Sequence, residues 1–248
     1  MPTPSAAAVS ASAKRTARPR REVIHRHSWL VRLTHWINAL TIFIMVGSGL
    51  NIFNAHPRLY WGQAGADFDK PFLALHPWPD WLTIPGYMDL ADARHWHFFF
   101  AWILVINGAL YLIWSLASRH IQRNLWPTAP DLRAIPRSIV DHIRLRHPTG
   151  EAAKRYNVLQ RLAYLGLLLL VIGMVVTGLC MSPGFDAFAP WLLTVLGGRQ
   201  SARTLHFLFA AAIVLFIVVH LIEVVLAGPF NEVRSMVTGR YAVPREHD

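Results

Sequence analysis

Charge is scarce in this chain of 248 residues: only 15% are Asp, Glu, Lys or Arg, while 54% are hydrophobic. A soluble domain of ordinary composition carries about 25% charged residues. The deficit falls in four nearly uncharged stretches of about 20 residues, the length that crosses a hydrocarbon core about 30 Å thick at about 1.5 Å per residue. Cysteine is almost missing too. The single Cys180 excludes an intrachain disulfide, a Cys-rich zinc site and an iron–sulfur cluster ligated by this chain alone. Without a C-x-x-C-H run, covalent attachment of a c-type haem is excluded as well. Residues 1–21 lack the apolar core of a signal peptide and end Arg-rich. Residues 1–25 therefore read as a disordered basic cytoplasmic tail, able to touch anionic lipid headgroups.

What is present is a formal net charge of +10, and its distribution decides what it means. Residues 1–32 carry seven Lys/Arg against one acid, 53–94 carry three against five, and 119–161 carry nine against three. Such alternation is the mark of Lys and Arg retained on the cytoplasmic side of a membrane, so the basicity is a topology signal and no nucleic acid is implied. The sequence predicts an all-α membrane protein: a four-transmembrane-helix bundle over 26–240, with spans at about 29–53, 94–118, 158–182 and 203–227, and a C-terminal tail at 241–248. Both ends and the 119–157 linker would be cytoplasmic, in a bacterial inner membrane. Loops 54–93 and 183–202 would be periplasmic. Loop 54–93 is apolar and aromatic, holding Trp61, Phe72, Trp78, Trp81 and Tyr87. It reads as a docking surface for another protein or as a lid that seals the bundle from water.

Among thirteen histidines, four form a geometric set. His206 and His220 lie 14 residues apart on span four, which brings them back to within about 40° of one direction, about 21 Å apart along the axis. His35 opens span one level with His220, and His97 opens span two level with His206. An ionisable side chain in hydrocarbon is a functional candidate by default. Two cross-helix imidazole pairs, one near each membrane face, are what two haems with paired axial ligands require of a bundle core. His95 competes with His97, but points about 160° away from it on a helix. Three histidines sit in the pattern R-x-x-H, with Arg32, Arg94 and Arg203 one turn before His35, His97 and His206. These guanidiniums suit haem propionates; simple positive flanking of span ends is the alternative, strongest for Arg32.

Four spans, an R-x-x-H-W opening span one, the R-H-W-H of span two and the His206/His220 pair resemble the prokaryotic cytochrome b561 family, over about residues 26–240. That family includes the membrane cytochrome b subunits of nickel–iron hydrogenases, formate dehydrogenases and thiosulfate reductases, and RHWHFFFAWILVINGALYLIW looks most like the thiosulfate-reductase type. The resemblance implies two b haems, held by His35 with His220 and by His97 with His206, wiring the quinone pool to a periplasmic oxidoreductase subunit of molybdopterin or hydrogenase type. It also implies a quinone site near the start of span three, where Asn157 and Gln160 match the family's stretch. Asn157 equally suits an N-cap of that span. A stand-alone cytochrome oxidising a small molecule such as superoxide, with quinone as acceptor, is the competing reading.

Overall fold

The computed structural model describes residues 21–66, 68–144 and 156–244. The expected tail over 1–20, part of the 119–157 linker and the last four residues lie outside these. Four helices are long and apolar enough to cross a membrane: α1 (Trp29–Asn54), α2 (Leu90–Ala117), α5 (Val158–Cys180) and α8 (Arg199–Ala227). Short helices α3 (Ala129–Arg133) and α4 (Ile135–Ile143) follow α2, α6 (Pro183–Phe188) and α7 (Pro190–Val195) join α5 to α8, and α9 (Pro229–Thr238) follows α8. The chain is a multi-pass membrane protein of the expected helical architecture.

The burial pattern is that of helices in lipid. Large apolar side chains such as Phe43, Trp102, Ile113, Leu169 and Leu215 are exposed, and small polar ones face inward. On α1 the fully or nearly buried positions include Thr34, Thr41 and Ser48, two turns apart and hence on one side. With no hydrophobic force between helices in hydrocarbon, small residues that let backbones approach and polar groups that bond across helices supply the cohesion. Asn107 of α2 illustrates it: its Nδ2 donates to the Thr34 carbonyl (3.0 Å) and to Asn38 Oδ1 (2.8 Å) on α1. The spans pair as two hairpins, α1 with α2 and α5 with α8; between the hairpins the spanning helices stand further apart among the described residues.

Two spans begin four residues before the expected positions, because the loops supply caps. Asp89 accepts from Asp92 N (2.9 Å) at the start of α2. At the start of α8, the Gly62 carbonyl accepts from the backbone of Gln200 (3.0 Å) and Ser201 (3.2 Å), satisfying first-turn donors that a helix cannot satisfy itself. The rest of loop 55–89 is held just as firmly. Asn51, fully buried at the end of α1, donates to the carbonyls of Pro85 (3.0 Å) and Tyr87 (2.7 Å). Asn54 exchanges both bonds with the Trp78 backbone (2.8 and 2.7 Å). A short antiparallel pair, β2 (Arg58–Leu59) with β3 (Leu73–Ala74), stiffens the middle.

The chain ends depart from expectation. Residues 21–25 and 241–244 are not free tails: β1 (Arg21–His25) pairs antiparallel with β4 (Arg240–Pro244), with Arg26 N bonded to the Gly239 carbonyl (2.9 Å). Ala242 and Val243 are buried in this closure. Backbone groups emerging beside each other at one face satisfy each other as a two-stranded ribbon. Such short, charged strands carry too little periodicity to stand out in the sequence. The two ends thus share one face of the molecule, called here the terminal face; loop 55–89 and helices α6 and α7 lie at the other, the loop face.

Candidate metal centres between the hairpins

The four singled-out histidines face each other in two pairs across the gap between the hairpins. The His35 and His220 rings have centroids 6.3 Å apart at an interplanar angle of 63°, toward the terminal face. Those of His97 and His206 are also 6.3 Å apart, at 62°, toward the loop face. Imidazoles on opposite sides of one first-row metal, with bonds of about 2.0 Å and centroids about 1.1 Å behind the nitrogens, stand about 6.2 Å apart. The spacing of both pairs therefore fits a bis-imidazole iron.

The surroundings fit as well. Ser48 Oγ of α1 lies 3.1 Å from His97 Nδ1, and Thr177 Oγ1 of α5 lies 3.0 Å from His206 Nδ1. Each engages the ring nitrogen nearer the helix and leaves Nε2 for a metal. The ring edges rest on bare backbone: a Cβ at Gly49 would come within 3.4 Å of His97 Cε1, and one at Gly178 within 3.3 Å of His206 Cε1. At the other pair, His220 stacks on Phe216 (6.0 Å, 1°), and His35 packs edge-on against Trp36 (5.2 Å). His35 Nδ1 and Arg32 Nε are buried with no hydrogen-bond partner among the described residues. His95 is exposed, lining a surface groove with Leu90, Ala91, Arg94 and Phe98; His97, not His95, faces His206.

The three arginines of the R-x-x-H pattern behave differently from one another. Arg32 donates through Nη1 to the Val237 carbonyl. Arg203 donates to the carbonyls of Arg58 (2.7 Å) and His56 (2.5 Å), so it locks the loop onto α8. Arg94 is exposed, with its guanidinium over the Phe98 ring at 5.2 Å. Asn157 and Gln160 form a reciprocal capping box at the start of α5, through Gln160 N to Asn157 Oδ1 (2.9 Å) and Asn157 N to Gln160 Oε1 (3.2 Å). That cap uses the side-chain oxygens and leaves both amide nitrogens out of it. Sequence reasoning missed Ser48, Thr177 and the loop-pinning Asn51 and Asn54. The available signal was a hydroxyl next to a glycine inside two apolar runs.

Four membrane-spanning helices with imidazoles facing across the bundle in pairs define a membrane cytochrome of the b type, a carrier of electrons. The chain belongs to the prokaryotic cytochrome b561 family, whose profile matches residues 26–239. A relative from Azospira oryzae, named as a protein-methionine-sulfoxide reductase subunit, is 31% identical over 206 residues, covering 83% of this chain and 93% of that protein. Two others are named as Ni/Fe-hydrogenase B-type cytochrome subunits. The one from Cupriavidus necator is 27% identical over 84% of this chain and 83% of its own length. The one from Bradyrhizobium diazoefficiens is 23% identical over 95% of this chain and 93% of its own.

Proposed function

We propose that this chain passes electrons between the quinone pool and an oxidoreductase subunit docked at its loop face, through one haem b at each imidazole pair. The observation that carries the reading is that His206 and His220 present two rings at different depths of one helix, each met by a ring from the opposite hairpin at 6.3 Å. Bound haem iron supplies a reversible one-electron centre. The residues of the chain do the rest. His35 and His220 hold one iron, and His97 and His206 the other. The exposed apolar flanks of the spans keep lipid outside and the slot dry. Arg32, Arg94 and Arg203 stand at the membrane faces as propionate partners; for Arg203 this adds to its bonds with the loop. At the terminal face, the amide nitrogens of Asn157 and Gln160 donate to quinone carbonyls while their oxygens cap α5. The basic segments orient both chain ends to the cytoplasm and the loop face to the periplasm.

Outward from the loop face project Trp61, Phe72, Trp81 and Tyr87, all exposed, together with Phe188 and Trp191. Exposed aromatic surface of this kind suits a partner's interface core. The relatives' names point to a partner of methionine-sulfoxide-reductase or hydrogenase kind. The test is purification from its own membrane with haem quantified per chain and a reduced-minus-oxidised spectrum recorded. Two haems b per chain and a co-purifying oxidoreductase are expected. A chain that purifies alone, binds both haems and oxidises superoxide directly with quinone as acceptor would make it a stand-alone cytochrome instead.

A further inference from the structure

The two hydroxyls on His97 and His206 come from a repeated motif. Met45-Val46-Gly47-Ser48-Gly49-Leu50 on α1 and Met174-Val175-Val176-Thr177-Gly178-Leu179 on α5 share Met-Val-x-Ser/Thr-Gly-Leu. His97 and His206 in turn each stand eighth in their helices, α2 and α8. Each hairpin therefore delivers the same set: a ring, a hydroxyl on its Nδ1 and a glycine under its Cε1. The equivalence stops at this end. The 129-residue offset that carries Ser48 onto Thr177 carries His35 onto Tyr164, and the 109-residue offset between His97 and His206 carries Tyr111 onto His220. The pair at the terminal face has no repeat, and His35 Nδ1 has no partner among the described residues.

The direction of the bonds follows from counting protons. Ser48 Oγ donates its single proton to a carbonyl one turn back, Ile44 at 2.9 Å or Met45 at 3.3 Å. Thr177 Oγ1 does the same toward Gly173 at 2.7 Å or Met174 at 3.2 Å. With that proton spent, each oxygen has only lone pairs for the ring, so it accepts from Nδ1–H. This fixes the tautomer whose Nε2 is free for iron, on both rings at once.

We infer that Ser48 and Thr177 are paired positioning residues, which set the tautomer of both ligands of the loop-face haem and lower its reduction potential relative to what the bare imidazoles would give. The inference rests on the bis-histidine reading of the site. A hydroxyl that accepts from Nδ1–H makes the imidazole a stronger donor through Nε2, which favours the oxidised iron.

The test uses the purified holoprotein, with Ser48→Ala, Thr177→Val and the double variant followed by potentiometric titration and low-temperature electron paramagnetic resonance. Each single variant should raise the midpoint of the same one haem and shift its low-spin signal. The double variant should add the two shifts, and the other haem should stay at the wild-type value. The conservative Ser48→Thr and Thr177→Ser, which keep the fold and the hydroxyl, should titrate as wild type. Unchanged potentials in both single variants would overturn the inference; this is the result expected if the two hydroxyls do not hold the Nδ1 protons. Shifts that fall on two different haems would overturn it equally. Should a single variant lose its haem, a potential moved by the conservative exchange on that helix counts against the inference, and wild-type behaviour there supports it. The reading beneath it fails separately, if the wild type lacks two low-spin bis-imidazole signals.

Discussion

His97 and His95 show how much two residues of register decide. The two lie on one helix turn, yet His97 meets His206 at 6.3 Å while His95 lines an exposed groove with Arg94 and Phe98. His97→Ala should therefore lose or loosen one of two haems, and His95→Ala should keep both, as read by haem per chain and the reduced spectrum. The reverse outcome would put the wrong ring at the iron. The four histidines were legible in the sequence because an imidazole in an apolar run is costly enough to stand out. Ser48 and Thr177 were not, since a lone hydroxyl satisfies itself on the carbonyl one turn back and is tolerated anywhere in a span. The contact across to the neighbouring helix and the glycine that follows separate them from the buried Thr34 and Thr41. Arg203 was read as a propionate partner; that its two donors also tie down His56 and Arg58 needed the loop's path, which no spacing encodes.

At the scale of elements, loop 55–89 divides into an inner layer and an outer one. The inner layer, with Leu59 and Tyr60 buried and the Tyr60 carbonyl accepting from Thr204 Oγ1 (2.6 Å), is a clasp on α8 two residues from His206. Trp78 belongs with it, its backbone held by Asn54 and its Nε1 buried. Trp81 is 80% exposed and belongs to the outer layer. Trp81→Ala should weaken electron exchange with the partner about tenfold or more, as truncation of an interface anchor does, with both haems kept. Trp78→Ala should instead disturb the loop-face haem itself, seen as a shifted potential. Equal loss of haem in both would make the whole loop a lid. The sequence showed the loop's composition but not this division, which depends on two asparagines at the end of α1 and one arginine.

The β1–β4 closure carries a pH dependence. His27, just before α1, has its pKa lowered to about 4 by burial first and then by the Arg26 charge beside it. The folded closure thus binds a proton less readily than the open chain, whose His titrates near the usual 6.5. Stability due to the neutral ring is complete above that value and is lost progressively as pH falls toward about 4. The thermal midpoint should fall between pH 7.5 and pH 5, and His27→Gln should flatten that slope. An unchanged slope would mean that the ring stays wet.

The whole molecule is two hairpins closed by a ribbon at one face and a clasped loop at the other. The architecture and span order were legible because length and hydropathy suffice for them. The separation of the hairpins was not, because helix-to-helix distance depends on which small residues meet. Reporter fusions at Gly65 and Gly150 should report opposite sides of the membrane, with Gly150 cytoplasmic. A periplasmic signal at Gly150 would exchange the faces of both imidazole pairs.

On the proposed two-haem reading, the division of the rings between the hairpins would make loading a proof of complete synthesis. The first hairpin holds His35 and His97 and the second His206 and His220, so neither contains both rings of either pair. A nascent chain halted after α2 contains only one ring of each facing pair. On that reading, stable capture would wait for α8, and the haem would then act as a rivet between hairpins whose spanning helices have little direct packing with each other. Residues 1–149 and 150–248, produced as two chains, should co-purify with the absorbance of a b-type cytochrome when haem is supplied and come apart when its synthesis is blocked. Halves that hold together equally well without haem would show that the ribbon and the clasp already suffice.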